Sequence, residues 1–238
     1  MIRIYHTSDL HDRRHVVAPL RRLRAQAPGL LVDCGDSLRG SQTVYRRHEP
    51  IIDELDAAGY DVTAMGNREF HYLFGAVRAR LRQMRHPVVC ANLADTRGRP
   101  LPFSADAILR AGDGEAVRFF GLLVPQYPPG SPWERIFGWR FNDPIAIAAE
   151  IARTTPPDVT LVALSHLGLR ADRELAQRVP QLDLILGGHS HDTLPEPEVV
   201  NGVPIVHAGA YGAFASRTEL VRVAGRARIE SFALVPLT

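Results

Sequence analysis

At 238 residues, with 45% hydrophobic and 23% charged side chains, the chain has enough bulk for one large domain with a substantial core. A formal charge of +2 announces no polyanionic partner. Every apolar run falls short of the roughly eighteen residues of a membrane-spanning helix, and Cys34 and Cys90 form no close-spaced pair, so neither a membrane-spanning helix nor a disulfide framework is expected.

The opening Met1-Ile2-Arg3-Ile4-Tyr5-His6 runs straight into a strand pattern without an apolar leader, which points to a cytoplasmic protein. Apolar stretches at 2–6, 30–34, 62–65, 88–91, 117–124, 159–164 and 182–186 read as buried strands. Amphipathic stretches at 14–27, 48–58, 72–85, 143–154 and 171–178 lie between them, the fourth opened by an Asp143 cap and Pro144. Residues 127–139, rich in proline and tryptophan, read as one long loop. The alternation implies an α/β fold with a largely parallel sheet. Segments 204–209, 216–224 and 227–236 are strand-like without helices between them, which predicts a second, more antiparallel sheet. No linker divides the chain, so 1–238 reads as a single domain. All the cations are arginine; Arg13, Arg14, Arg21, Arg22 and Arg24 cluster in sequence, and Arg78, Arg82 and Arg85 share a helix face. Solvated helix faces explain both groups, with a polyanion-binding patch as the alternative.

The residues just past each apolar run are more informative. The strands end in Thr7-Ser8-Asp9-Leu10-His11, Asp33-Cys34-Gly35-Asp36, Gly66-Asn67-Arg68-Glu69, Ser165-His166 and Gly187-Gly188-His189-Ser190-His191. In open α/β sheets such ends share one edge, where ligands bind. One Asp-x-His is an unremarkable turn, but five such endings converge on a metal site. Carboxylates, an amide and neutral imidazoles without thiolate suit manganese, iron or zinc. Asp9, His11, Asp36, Asn67, His166, His189 and His191 are too many ligands for one tetrahedral centre and enough for two divalent ions. Paired ions form the clamp used for displacement at phosphorus, so phosphate-ester hydrolysis is the implied reaction class.

Together these endings resemble the calcineurin-like metallophosphoesterase superfamily, whose pattern is DxH, GD, GNH[DE], H and GHxH. Within it they look most like the catalytic domain of the 5′-nucleotidases and 2′,3′-cyclic phosphodiesterases. Ala91-Asn92-Leu93, Leu164-Ser165-His166-Leu167-Gly168 and the stretch from Pro204 to Gly212 carry further matches, from residue 4 to about 218. The resemblance implies a four-layer α-β-β-α sandwich with two mixed sheets. It assigns Asp9, His11, Asp36 and His191 to one ion and Asp36, Asn67, His166 and His189 to the other, with Asp36 bridging. Manganese is the expected metal, with iron or zinc as alternatives.

Two departures matter. Full-length 5′-nucleotidases carry a C-terminal domain whose aromatic residues stack on the base, and no such domain is expected within this chain. Trp133, Phe137 and Trp139 either form a substitute platform or simply pack the loop onto the core. Where the family has a histidine that helps protonate the leaving group, this chain has Arg68, which binds phosphate oxygens but is no acid near neutrality. Where the family commonly has the supporting aspartate, it has His71. Asn67, Arg68 and His71 are therefore the candidate catalytic residues: the acid has moved to His71, or it is lost, or the site has drifted. Of the other histidines, His15, His48 and His86 are expected at the surface, and His6 and His207 in structural roles.

The expected function is a dinuclear metal-dependent phosphoester hydrolase, a phosphomonoesterase acting on nucleotides or other small phosphate esters. The alternatives are a phosphodiesterase on cyclic nucleotides or nucleic acid, and a metal-binding regulatory protein without turnover. The expected partner is a small phosphate ester, with nucleic acid not favoured and no membrane association.

Overall fold

In the computed structural model, residues 1–238 are described apart from Asp113, Ala224 and Thr238; the last residue expected of the strand at 216–224 and the last of the domain at 1–238 lie outside the described residues. The first part of the chain alternates strand and helix: β1 (Ile2–Thr7), α1 (Val17–Gln26), β2 (Leu30–Asp33), α2 (Pro50–Ala58), β3 (Val62–Ala64), α3 (Phe74–Leu81) and β4 (Val88–Val89). These four strands pair in parallel. Their sequences are mostly apolar because both faces are covered. Ile2, Ile4, Leu30 and Val32 face one apolar layer, whereas Tyr5 and Leu31 face another that holds side chains of α1, α2 and α3.

The remainder contains β5 (Leu93–Asp95), β6 (Asp106–Arg110), β7 (Ala116–Leu123), α4 (Pro132–Phe137), β8 (Trp139–Phe141), α5 (Pro144–Thr154), β9 (Thr160–His166), α6 (Leu169–Arg178), β10 (Leu184–Gly187), β11 (Glu198–Val200), β12 (Val203–His207), β13 (Phe214–Val223) and β14 (Arg226–Pro236). Strands β7, β9, β10 and β12 run parallel, flanked by antiparallel β6 and β11, in the order β11-β12-β10-β9-β7-β6. Val162 and Leu164 of β9 meet Ile4, Val32 and Val62 between the two sheets, while Leu161 and Ala163 face α5 and α6. Each aliphatic side chain fully buried in that middle layer contributes about 1.5–3 kcal/mol. The result is a four-layer α-β-β-α sandwich with two mixed sheets.

The tail departs from expectation. It forms no sheet of its own: β12 joins the second sheet in parallel, and β13 and β14 extend the first beyond β1, in the order β14-β13-β1-β2-β3-β4. Alternation in a sequence shows which faces are buried, but not which sheet edge supplies the partner. Residues 127–139 are not all loop either. Ser131 accepts a hydrogen bond from the Trp133 N–H and Pro132 sits in the first turn, so α4 has an ordinary capped start. Strand β8, the next element, pairs with β5 as a short ribbon. Among the described residues no helix is long and apolar enough to cross a membrane.

Candidate metal centre

The five strand endings do not share the edge of one sheet. Strands β1, β2 and β3 belong to the first sheet, and β9 and β10 to the second, so the loops meet across the top of the sandwich. Parallel direction within each sheet is what brings all five to the same end.

Asp9 sits where the two sets of loops touch. Its N–H donates to the Gly35 carbonyl at 2.9 Å. Its Oδ2 accepts from Ser8 Oγ at 2.5 Å and from the His189 N–H at 2.9 Å. Its Oδ1 is buried without a hydrogen-bond partner, 3.8 Å from His11 Nε2 and 3.4 Å from His191 Nε2. Those two imidazole nitrogens are 3.0 Å apart. An orphaned carboxylate oxygen facing two imidazole nitrogens is what a cation-binding position requires.

The second group lies beside it. His166 Nδ1 donates to the Cys34 carbonyl at 2.7 Å, which turns Nε2 towards Asp36 Oδ1 at 3.3 Å and Asn67 Oδ1 at 3.2 Å. Asn67 Oδ1 is also 3.1 Å from His189 Nδ1. Donor atoms of Asp9, His11 and His191 lie within 4.8 Å of one another, and so do those of Asp9, Asp36 and His166. All seven expected ligands are thus assembled, and the donor set fits two divalent ions. Asp9 is the carboxylate common to the two groups; the choice of Asp36 as the bridge rests on the family resemblance alone.

The backbone is strained where the ligands stand. Eight described non-glycine residues have positive φ, and five of them are Asp9, His11, Asp36, His189 and His191, at 49° to 74°. Such conformations cost about 1–3 kcal/mol each and persist where surrounding structure enforces them. Part of that enforcement is close packing at Gly188, where a Cβ would overlap Ser8 Oγ and crowd the Asp9 carboxylate.

Charge in the cluster favours a cation. Burial alone would lower the His166 imidazole, but the Asp36 carboxylate, helped by Asp9 and Glu69, outweighs it and pushes the group up to about 9. Burial and the Arg68 charge push His11 down to about 4, which keeps that imidazole neutral and its lone pairs available. His189 and His191 are exposed, so the cluster opens to solvent on their side.

Arg68 and His71 differ in placement. The Arg68 guanidinium, about a third exposed, has its Nε 3.8 Å from Asp36 Oδ2 and stands at the open face of the cluster. His71 is buried: its Nδ1 accepts the Leu73 N–H at 2.9 Å, and the Thr43 backbone bonds the ring as well. Its contacts are those of a loop brace.

Two supports carry no role in the sequence reading. The buried Glu69 carboxylate accepts the N–H groups of Asp36 and Gly66 at 2.8 and 2.9 Å, and those of Ser37 and Leu38 at 3.1 and 3.2 Å. It fixes the Asp36 loop against the Asn67 turn. The buried Arg80 guanidinium donates to the carbonyls of Arg68, Glu69 and Phe70 and to that of Val44. Position alone signals neither, because the groups they hold are brought to them by the fold.

The remaining assignments divide. His15 and His48 are exposed. His86 is not: it is buried, with Nε2 2.9 Å from Thr63 Oγ1 and Nδ1 3.2 Å from Asp56 Oδ1, because α2 covers it. His6 packs in the core, 3.1 Å from Ser216 Oγ, and burial pushes it down to about 3. His207 Nε2 is 2.7 Å from the buried Asp172 carboxylate, which also bonds Ser165 beside His166. Trp139 is fully buried with Nε1 donating to the Tyr72 carbonyl, so it serves no surface platform. A cavity of about 560 Å³ lined by Arg3, Gly29 and Arg110 lies at the opposite end of the strands, away from every ligand residue.

Comparison with known proteins agrees with this geometry. Residues 2–193 match the calcineurin-like phosphoesterase family. The chain is 31% identical to an uncharacterized metallophosphoesterase, YunD, of Bacillus subtilis (strain 168), over 92% of this chain and 50% of that protein. It is 30% identical to the 5′-nucleotidase of Bos taurus, over 89% of this chain and 45% of that protein. The crystal structure of a 5′-nucleotidase precursor from Thermus thermophilus superposes with a TM-score of 0.80 at 26% identity, covering 99% of this chain and 54% of that one. The chain spans about half the length of these relatives.

Proposed function

The chain belongs to the calcineurin-like phosphoesterase family, and from that membership we propose that it is a dinuclear metal-dependent hydrolase of phosphate monoesters, nucleotides among them. The observation that carries the reading is the unpartnered Asp9 Oδ1 facing His11 and His191, beside the second cluster of Asp36, Asn67, His166 and His189. Asp9, His11, Asp36 and His191 would hold one ion, and Asp36, Asn67, His166 and His189 the other, manganese being our first choice for both. Two such ions supply Lewis-acid charge to the phosphoryl oxygens and make water a stronger nucleophile near neutral pH.

The protein's own part is positional and electrostatic. Arg68 can place two N–H donors on phosphoryl oxygens as the water oxygen bonds to phosphorus and the ester oxygen leaves. The departing oxygen then needs a proton. Arg68 cannot give one, and His71 has its Nδ1 occupied by Leu73. Esters whose leaving oxygen needs little protonation will therefore turn over best. The same observation favours a second reading, a phosphodiesterase, since a diester leaves one fewer phosphoryl charge for the site to neutralise.

The test is to strip the protein with chelator, restore manganese, and compare p-nitrophenyl phosphate with bis(p-nitrophenyl) phosphate. Metal-dependent release from the monoester is the expected result. Release from the diester alone would replace the first reading by the second, and silence on both would remove the hydrolase.

A further inference from the structure

A cavity of about 350 Å³ is lined by Thr43, Tyr72, Gln126, Tyr127, Trp133 and Phe137. That volume lies within the usual range for a small-molecule site, about 300–1,000 Å³. Several of its rings lie near-parallel. Tyr72 and Phe137 stack at 4.8 Å and 27°, Trp133 and Phe137 at 5.9 Å and 16°, and Tyr72 and Tyr127 at 6.4 Å and 17°. Deeper in, Phe70 meets Phe141 at 70° and Tyr127 meets Phe141 at 89°. Near-parallel rings around a void present flat faces in one orientation, suited to a flat ligand.

The wall is not wholly apolar. The Gln126 side chain accepts from Gln42 Nε2 at 3.0 Å and donates to the Val124 carbonyl at 2.8 Å, which fixes its amide at the cavity. With Thr43 it supplies the donors and acceptors that a heterocycle edge requires. Trp133, on the short helix α4, is 53% exposed and forms the rim.

Both walls grow out of the metal-type cluster. Tyr72 lies five residues past Asn67, just beyond the turn over residues 67–69. On the other side the Val124 N–H bonds the His166 carbonyl at 3.1 Å. Gln126, two residues on, lies at most about 7 Å of chain further. Cavity and cluster thus share the segments that place Asn67 and His166.

We propose that this cavity holds the nucleobase of a nucleoside monophosphate whose phosphoryl group sits at the ligand cluster, an inference that rests on the hydrolase reading above. Trp133 and Phe137 give the base a stacking face, and Gln126 meets its polar edge. Stacking on an aromatic side chain tolerates any base, so the site selects nucleotides as a class rather than one base.

Trp133→Ala tests this in the full chain with manganese restored. The measured quantity is the ratio of kcat/KM for AMP to kcat/KM for ribose 5-phosphate, which cancels any general loss of active enzyme. The ratio is expected to fall by about tenfold, the scale of one lost base–aromatic contact; an unchanged ratio overturns the subsite. Binding is read separately, by quenching of tryptophan fluorescence with adenosine, which has no phosphate. Quenching in the wild type that disappears in Trp133→Ala supports the subsite even if neither ester is hydrolysed, the result that would remove the hydrolase reading instead. Absence of quenching in the wild type overturns the subsite and leaves the hydrolase reading standing.

Discussion

Asp36 and His166 stand 3.3 Å apart, yet they are held in place by different means. Asp36 belongs to the oxygen-donor side, with Asp9 and Asn67, all on loops of the first sheet. Its N–H is fixed by Glu69 and its Oδ1 by the Arg68 N–H, so its position depends on a buried side chain that also holds three other backbone groups. His166 ends β9 in the second sheet and needs only its strand and the Cys34 carbonyl. The carboxylate is placed by a network that one substitution can remove, and the imidazole by main chain that no substitution removes outright.

The contrast can be broken in several places. The largest effect is expected from Asp36→Ala, which removes the carboxylate proposed to bridge the two ions; activity should fall by more than about 100-fold. Metal content measured by mass spectrometry should drop below two ions per chain. Next comes Glu69→Gln, which leaves every ligand in place but sets an amide against main-chain N–H groups. It is expected to weaken manganese binding by about 10–100-fold in a calorimetric titration. Cys34→Ala, which leaves the carbonyl to His166 intact, is the matched control for the other side. If the two variants bind manganese equally well, the distinction between network and main chain is wrong.

Arg68→His sharpens the comparison at the open face. A titratable imidazole there should raise turnover of alkyl phosphates relative to p-nitrophenyl phosphate by about tenfold or more, because only the alkoxide needs the proton. An unchanged ratio of the two rates would mean that protonation comes from elsewhere. The smallest effect concerns Asp33, bonded to Thr7, Gly35 and Ser37 beneath the oxygen-donor loops. Burial pushes its carboxyl up to about 8, against about 4 in an unfolded chain. A raised folded value means that the protonated acid favours the fold. Its contribution is complete below about pH 4 and is lost as pH rises towards about 8, on the order of a few kcal/mol in all. In denaturant titrations of metal-free protein, the stability of Asp33→Asn relative to wild type should therefore improve between pH 5 and about 8.5. A constant difference would show that Asp33 is ionised throughout.

The ligands were legible because each comes within a few residues of its strand, and a strand end is a local feature. That five ends from two sheets converge was less so, since period-two patterning is blind to which strands become neighbours. The supports were hidden for the same reason: Arg80 acts on residues up to 39 positions away, and Asp172 on His207, 35 positions on. His86 looked like a surface residue because its cover, α2, is a different stretch of chain. The Ser131-Pro132 start of α4, by contrast, was present in the sequence and was masked by the prolines around it.

Asp9 also has a consequence for how the two sheets hold together. Its carboxylate takes the His189 N–H and its carbonyl the Tyr211 N–H, so the two sheets are stitched together through protein groups alone. Losing that carboxylate would therefore undo a joint between the two layers as well as remove a ligand oxygen.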